Sequence, residues 1–387
     1  MRIGIDGGCW NNRRGYGRFA RELVSAVVRR DTANEYVLFL EPGADSAFPV
    51  PEGLSVRRVT TSSPVAEAAR ADGRRALGDL WRMARATADE RLDALFFPSV
   101  YSYFPPPAGL PAIVCFHDTI AERHPDLTFS SSKHALFWRA KVWAAAVRAD
   151  LVLTVSEYSR RSLHDYFGLP LGRIRVVTEG ASAVFRRIQT EPPPRRFVLY
   201  AGGISPNKNL ETLIAAYARL RSRRQGLQLV LVGDYESDRF KSCYAQLRAQ
   251  VEAARLSGEV VFAGYVPDEE LCRLYNTASV FVMPSLDEGF GLPALEAMSC
   301  GAPVVVSSGH ALEEVVGDAG LVVPPHDVVA LAEAMDRVLD EPALAAALSE
   351  RSLRRAKAFS WERAAEQFLE ALDAALARPR ARATATP

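Results

Sequence analysis

Asp287-Glu288-Gly289-Phe290-Gly291-Leu292-Pro293-Ala294-Leu295-Glu296-Ala297-Met298 is the stretch whose reading decides the fold. An apolar run, Val280 to Met283, precedes it, and Val304-Val305-Val306 follows it. The pattern between them is strand, Gly-rich turn, helix, strand. Glu288 falls in the loop at the carboxyl end of the first strand, and Glu296 falls in the opening turns of the helix. In an open α/β sheet that edge is where ligands bind. Gly289 and Gly291 let main-chain N–H groups approach a ligand with no Cβ in the way. The helix N-terminus behind them favours an anion. Two carboxylates beside an anion site fit a ligand that is part phosphate and part polyol, such as a nucleotide-sugar.

Outward from this stretch, short apolar runs alternate with helical patterns. Ile3–Ile5, Tyr36–Leu40, Ala94–Phe97, Ala112–Phe116 and Leu151–Val155 read as strands in the first half. Phe197–Ala201, Leu227–Val232, Val260–Phe262 and Val280–Met283 do so in the second. Helical patterns run from about Arg18 to Arg30, Pro64 to Glu90, Ser131 to Ala149, Leu210 to Arg223 and Arg239 to Ala254. Strand and helix in alternation mean βαβ units and mostly parallel sheets. Pro192-Pro193-Pro194 can neither continue a helix nor pair in a central strand, so it marks a stiff linker. The expected fold is α/β with two Rossmann-like domains facing across a cleft. Residues 1–189 form the first, 190–196 the linker and 197–358 the second. A helix at 359–377, with Ser360 as its N-cap, crosses back to the first domain. The tail 378–387 has almost no apolar content and is expected to be disordered.

Composition excludes several classes. At 387 residues the chain exceeds one ordinary core. Its formal net charge of +1 gives no electrostatic case for a nucleic-acid partner. The five cysteines are scattered and odd in number, which suggests reduced thiols in a cytoplasmic setting. Met1-Arg-Ile-Gly-Ile5 starts a strand and lacks signal-peptide layout. No metal-ligand spacing is evident, so metal independence is expected, with no cofactor beyond a nucleoside diphosphate-sugar co-substrate.

The motifs resemble a known family. The Glu288…Glu296 pair inside Glu-Gly-Phe-Gly-Leu-Pro-Ala-Leu-Glu-Ala is similar to that of the retaining, nucleotide-sugar-dependent glycosyltransferases of family 4, the group 1 type, which have the GT-B fold. Tyr200-Ala-Gly-Gly203 with Lys208-Asn209, Leu231-Val-Gly-Asp234 and Phe262-Ala-Gly-Tyr265 carry the likeness further. Arg14-Gly-Tyr-Gly-Arg18, Phe116-His117-Asp118 and Ser156-Glu157 extend it into the first half.

The resemblance implies that Glu288 contacts donor-sugar hydroxyls and Glu296 the ribose, while the amides of Gly289, Phe290 and Gly291, next to Leu292, hold sugar and phosphate. It also implies that Lys208, after Gly202-Gly203, clamps the pyrophosphate. Where the family usually has a second basic residue, this chain has Ile204. Arg18 and Arg14 are candidates for that second cation, and Gly15 and Gly17 let the backbone approach the donor. Tyr265 and Val266 lie where the nucleobase is held. His117 is expected near the reacting sugar, and Asp118 to orient it or bind acceptor, against the alternative of a structural pair capping the next segment. His124, His134 and His164 read as surface or packing residues, and Ser156 as a helix N-cap.

The implied activity is retaining hexosyl transfer, a mannose donor being the weakly favoured analogue, to a glycan or lipid-linked acceptor in bacterial cell-surface polysaccharide assembly. Competing readings are other GT-B chemistry, an epimerase or phosphorylase, and a sugar-nucleotide binder without turnover. Two basic, Trp-bearing stretches raise peripheral membrane contact. They are Arg70, Arg74, Arg75, Trp81, Arg82 and Arg85, and then Lys133, Phe137, Trp138, Arg139, Lys141 and Trp143.

Overall fold

The computed structural model describes residues 1–13, 15–62, 77–129, 131–235 and 242–377. Arg14, Arg70, Arg74, Arg75 and the tail 378–387 lie outside the described residues. Two parallel sheets form the frame. The first contains β1 (Arg2–Asp6), β2 (Glu35–Leu40), β3 (Leu54–Arg58), β4 (Ala94–Phe97), β5 (Ala112–Cys115), β6 (Leu151–Thr154) and β7 (Ile174–Val176). The second contains β8 (Phe197–Ala201), β9 (Gln228–Val232), β10 (Val260–Gly264), β11 (Val280–Met283), β12 (Val304–Ser307) and β13 (Gly320–Val323). Ala-Leu-Phe-Phe in β4, Val-Phe-Val-Met in β11 and Val-Val-Val-Ser in β12 are buried at every position. Such unbroken burial is what a strand covered by helices on both faces requires.

Strand order is β3-β2-β1-β4-β5-β6-β7 in one sheet and β10-β9-β8-β11-β12-β13 in the other. Order therefore reverses between β1 and β4, and again between β8 and β11. At each reversal the following loops diverge and leave a crevice. In the second sheet these are the loops that carry Lys208 and Glu288.

Two differences from the sequence reading have local causes. The first helix begins at Gly15, not near Arg18, so Gly15 and Gly17 form its opening turn. Periodicity assigned no element between Val306 and Phe359, yet the chain forms helices Ala311–Val316, Val328–Asp340 and Pro342–Ala356 there, with β13. The last two helices are joined at Glu341 alone, and Pro342 opens the second, so no turn cluster marks the break.

The final helix, Trp361–Leu376, opens on Ser360, whose side chain accepts from the Arg363 N–H. It lies against the first domain: Phe368 packs on Phe96, Glu366 pairs with Arg30 and Gln367 accepts from Thr178. The chain thus passes between the two halves twice. The passages touch where Gly180 lies against the backbone of Ser360 and Trp361.

Candidate active site

At the reversal in the second sheet, Lys208 ends a short turn, Pro206–Lys208, after β8. Its ammonium donates to Glu288 Oε1 at 2.5 Å, and the Ser285 hydroxyl donates to the same oxygen at 2.7 Å. Both side chains are largely buried. A cation and a carboxylate are therefore paired at the mouth of a helix N-terminus, where phosphate and sugar would meet them. The amides of Gly289, Phe290 and Gly291 follow directly, and Gly291 stands at the N-terminus of the helix Leu292–Ser299. Gly202 and Gly203 lie in the loop before Lys208, where the Gly203 carbonyl accepts from the Tyr200 hydroxyl.

Glu296 is on the same helix and is buried. Arg18 reaches it from the first domain, its guanidinium donating to Glu296 Oε1 at 2.8 Å and also to Asp268. The Tyr275 hydroxyl donates to the other Glu296 oxygen at 3.3 Å. Arg18 thus bridges two carboxylates, and it is not poised as an isolated phosphate clamp. Ile204 is buried in the core of the second domain, and a Cβ on Gly233 would press against it. An apolar side chain fills that position.

Burial pushes the Glu296 pKa up from 4.5 to about 7, against the opposing pull of Arg18. The native state therefore holds an extra proton between those values. This group's contribution to stability is full below its unfolded pKa and is lost as pH rises through about 7. If Glu296 takes the ribose, as the resemblance implies, the diol would donate to the ionised carboxylate and donor binding would expel that proton. Donor KM is expected to rise as pH falls from 8 to 6, approaching tenfold per unit below the pKa. Glu296→Gln should raise KM and flatten the profile. A wild-type KM independent of pH over this range would remove Glu296 from the ribose site.

The first domain meets this motif at Gly289. A Cβ placed there would lie 2.2 Å from the His117 carbonyl oxygen, so only glycine permits the approach. The Gly289 carbonyl accepts from Ser156 Oγ at 2.7 Å and from Ser159 Oγ at 3.1 Å. Ser156 also caps its own helix, as expected, accepting from the Ser159 N–H. Glu314 of the second domain accepts from the amides of Glu157 and Tyr158, both at 3.0 Å, at that same helix N-terminus.

His117 presents its main chain to the motif while its ring is held from behind. Nε2 donates to the Pro98 carbonyl at 3.0 Å, Nδ1 stands 3.6 Å from Glu179, and Phe19 packs edge-on at 4.7 Å. Burial works against charge on the imidazole, but the Cys115 sulfur and Glu179 outweigh it and hold the pKa well above the usual histidine range. The orienting group is Glu179, not Asp118. Asp118 accepts at 2.9 Å from the N–H of Ile120, the first residue of the next short helix, as in the capping alternative.

Other residues arrive unannounced by the sequence. Asp287 is buried and faces Arg123 at 3.4 Å and His124 at 3.8 Å across the cleft. His124 thus faces the cleft while 39% of its side chain stays exposed. Tyr265 is exposed, with Arg13 stacked 5.6 Å from its ring, and Val266 is half-buried beside it. Gly15 opens its helix facing the motif, where a Cβ would lie 3.8 Å from Leu292, and a Cβ on Gly17 would press against Asn12.

The crevice thus lies between two parallel-sheet domains, with the buried Lys208–Glu288 pair at a helix N-terminus. Residues 13–183 match the model for Glycosyltransferase Family 4, and 182–355 match that for Glycosyl transferases group 1. The O-antigen chain mannosyltransferase B of Escherichia coli is 36% identical over 293 residues, covering 70% of this chain and 74% of its own. The serotype-specific mannosyltransferase WbdA of Escherichia coli is 30% identical over 66% of this chain, which spans only 32% of that longer protein. HepE of Anabaena, solved with UDP-glucose, superposes with a TM-score of 0.73 at 19% identity, covering 97% of this chain and 100% of that one. The chain belongs to the group 1 glycosyltransferases.

Proposed function

We propose that this protein moves a hexose, mannose being the favoured candidate, from a nucleoside diphosphate-sugar to a glycan or lipid-linked acceptor of a bacterial cell-surface polysaccharide. The observation that carries the reading is the Lys208–Glu288 pair beneath the Gly289 amide, with the His117 carbonyl facing it. The donor diphosphate would draw Lys208 away from Glu288 and free that carboxylate for sugar hydroxyls. Glu296 would take the ribose, and the acceptor would enter beside Asp118. The mannose preference rests on the mannosyltransferases to which the chain is similar.

The reaction is retaining in this reading. The acceptor oxygen bonds the anomeric carbon on the face from which the phosphate oxygen departs, and the acceptor proton passes to that departing oxygen. The protein supplies charge stabilisation and orientation through Lys208 and the glycine amides. A thermal-shift screen across nucleotide-sugars tests donor choice, since a ligand at 100 times its Kd adds about 2.7 kcal/mol. A GDP-hexose that gives no shift, beside a UDP-hexose that does, would exclude the mannose-type donor. The anomeric coupling of the product tests retention. Activity should survive excess EDTA within a factor of about two, because Lys208 and the amides are assigned the task a metal would perform on the leaving group. Complete loss, restored by a divalent ion, would overturn that assignment.

A further inference from the structure

Both ring nitrogens of His117 face protein, Nε2 the Pro98 carbonyl and Nδ1 the Glu179 carboxylate. The imidazole has no N–H left for a sugar, and attention passes to the group beside it. Glu179 is 4% exposed. Among the described residues its carboxylate has one partner, His117 Nδ1 at 3.6 Å. An ionised carboxylate offers about four acceptor positions. Buried carboxylates ordinarily have them filled, because the loss of water otherwise goes uncompensated. Glu179 thus keeps acceptor capacity inside the molecule with no described group using it.

Its surroundings indicate what would use it. The charges that act on Glu179 come from both domains, His117 and Arg18 from the first and Glu288 from the second. Glu296 feels Glu179 in turn. The carboxylate therefore lies in the middle of the site's charges. His117 joins it to the motif directly, since the His117 carbonyl oxygen meets Gly289 and the ring meets Glu179. The final helix fixes the backbone on either side. Gln367 accepts from the Thr178 N–H and hydroxyl, and Gly180 lies against Ser360 and Trp361. A side chain held in this way is preorganised for a ligand.

The nearby cations are already committed. Arg18 holds Glu296 and Asp268, His117 holds Pro98 and Glu179, and Lys208 holds Glu288 until a diphosphate replaces it. A carboxylate arriving on the sugar would meet Glu179 and Glu288 with no cation left to it. A sugar hydroxyl would meet an acceptor.

We infer that Glu179 is a specificity residue of the donor site: its carboxylate accepts a hydroxyl of the transferred sugar, so neutral hexoses are admitted and hexuronic acids are rejected. The inference rests on the nucleotide-sugar reading of the crevice. It places the sugar between a carboxylate of each domain, Glu288 on one side and Glu179 on the other.

The experiment is calorimetric titration of the full-length protein with GDP-mannose and GDP-mannuronic acid, and with UDP-glucose and UDP-glucuronic acid, using GDP and UDP as references. Wild type should bind the hexose donor of one pair, and the matching uronic acid at least about 100-fold more weakly, since juxtaposed like charges are costly. Glu179→Gln should leave the Kd of the bare nucleotide within about twofold and weaken the hexose donor about tenfold, as for the loss of one hydrogen bond to a charged group. It should also cut the discrimination against the uronic acid to below about tenfold, because the repelling charge is gone. Glu179→Asp, which withdraws the charge by one methylene, should weaken the hexose donor and keep the rejection. Unchanged binding of the bare nucleotide shows that each variant is folded. Wild type that binds both members of a pair alike overturns the inference, as does Glu179→Gln with unaltered hexose affinity and discrimination. A Gln variant that weakens bare nucleotide and hexose donor equally assigns Glu179 to holding His117 alone and also overturns it. Wild type that binds neither the hexose donors nor the bare nucleotides overturns the nucleotide-sugar reading itself.

Discussion

Replacing Lys208 with Ala should lower kcat by about 10²–10³-fold, the loss seen when one preorganised charge at a developing anion is removed. Lys208 stands in the loop at the crevice end of β8, with its charge held 2.5 Å from Glu288. Arg18 cannot take over without abandoning Glu296 and Asp268, and Ile204 is apolar and buried. The substitution also strands Glu288, leaving only the Ser285 hydroxyl on Oε1. Removing one member of a buried pair costs about 3 kcal/mol of stability. Stability and catalysis are therefore read separately. Lys208→Ala/Glu288→Gln should recover most of the lost Tm and none of the lost kcat. Near-normal turnover in Lys208→Met, which keeps the stem and removes the charge, would sink the leaving-group role.

Gly289→Ala should lower kcat/KM by at least about 100-fold, because a displacement near 1 Å at reacting groups is worth that much. The new methyl would fall 2.2 Å from the His117 carbonyl oxygen and 2.9 Å from Asp118 Cβ. His117 cannot retreat easily, since Pro98 and Ser159 both bond it. The two halves must separate instead, which breaks the Ser156 and Ser159 bonds to the Gly289 carbonyl. Separation relieves the clash without straining either domain, so Tm should fall only slightly. Small-angle scattering should report a larger radius of gyration than for wild type. An unchanged radius with unchanged kcat/KM would mean that this contact is not part of the working state.

The two-sheet frame is legible because strands buried on both faces read as unbroken apolar runs, and β4, β11 and β12 are of that kind. Glu288 and Lys208 are legible for a similar reason: each follows such a run at the edge where loops diverge. What the sequence hides is contact between the domains. Arg18 on Glu296, Arg123 on Asp287 and Glu314 on the helix at Glu157 join residues more than 150 positions apart. No local period encodes such pairings. Glu179 was missed although it stands just past β7, at the same sheet edge as His117. A single carboxylate after a short strand gives no spacing to recognise. Trp138 misled in the opposite sense, because a Trp among basic residues reads as interfacial until its indole N–H is seen to donate to Glu122.

The double passage of the chain between its halves has a mechanical consequence. One crosslink would leave the domains free to swivel in any direction. Two, bearing on each other at Gly180 and Trp361, act as a single pivot, so opening is reduced to rotation about one axis. The Gly289–His117 contact then acts as a doorstop, marking the closed limit of any such rotation.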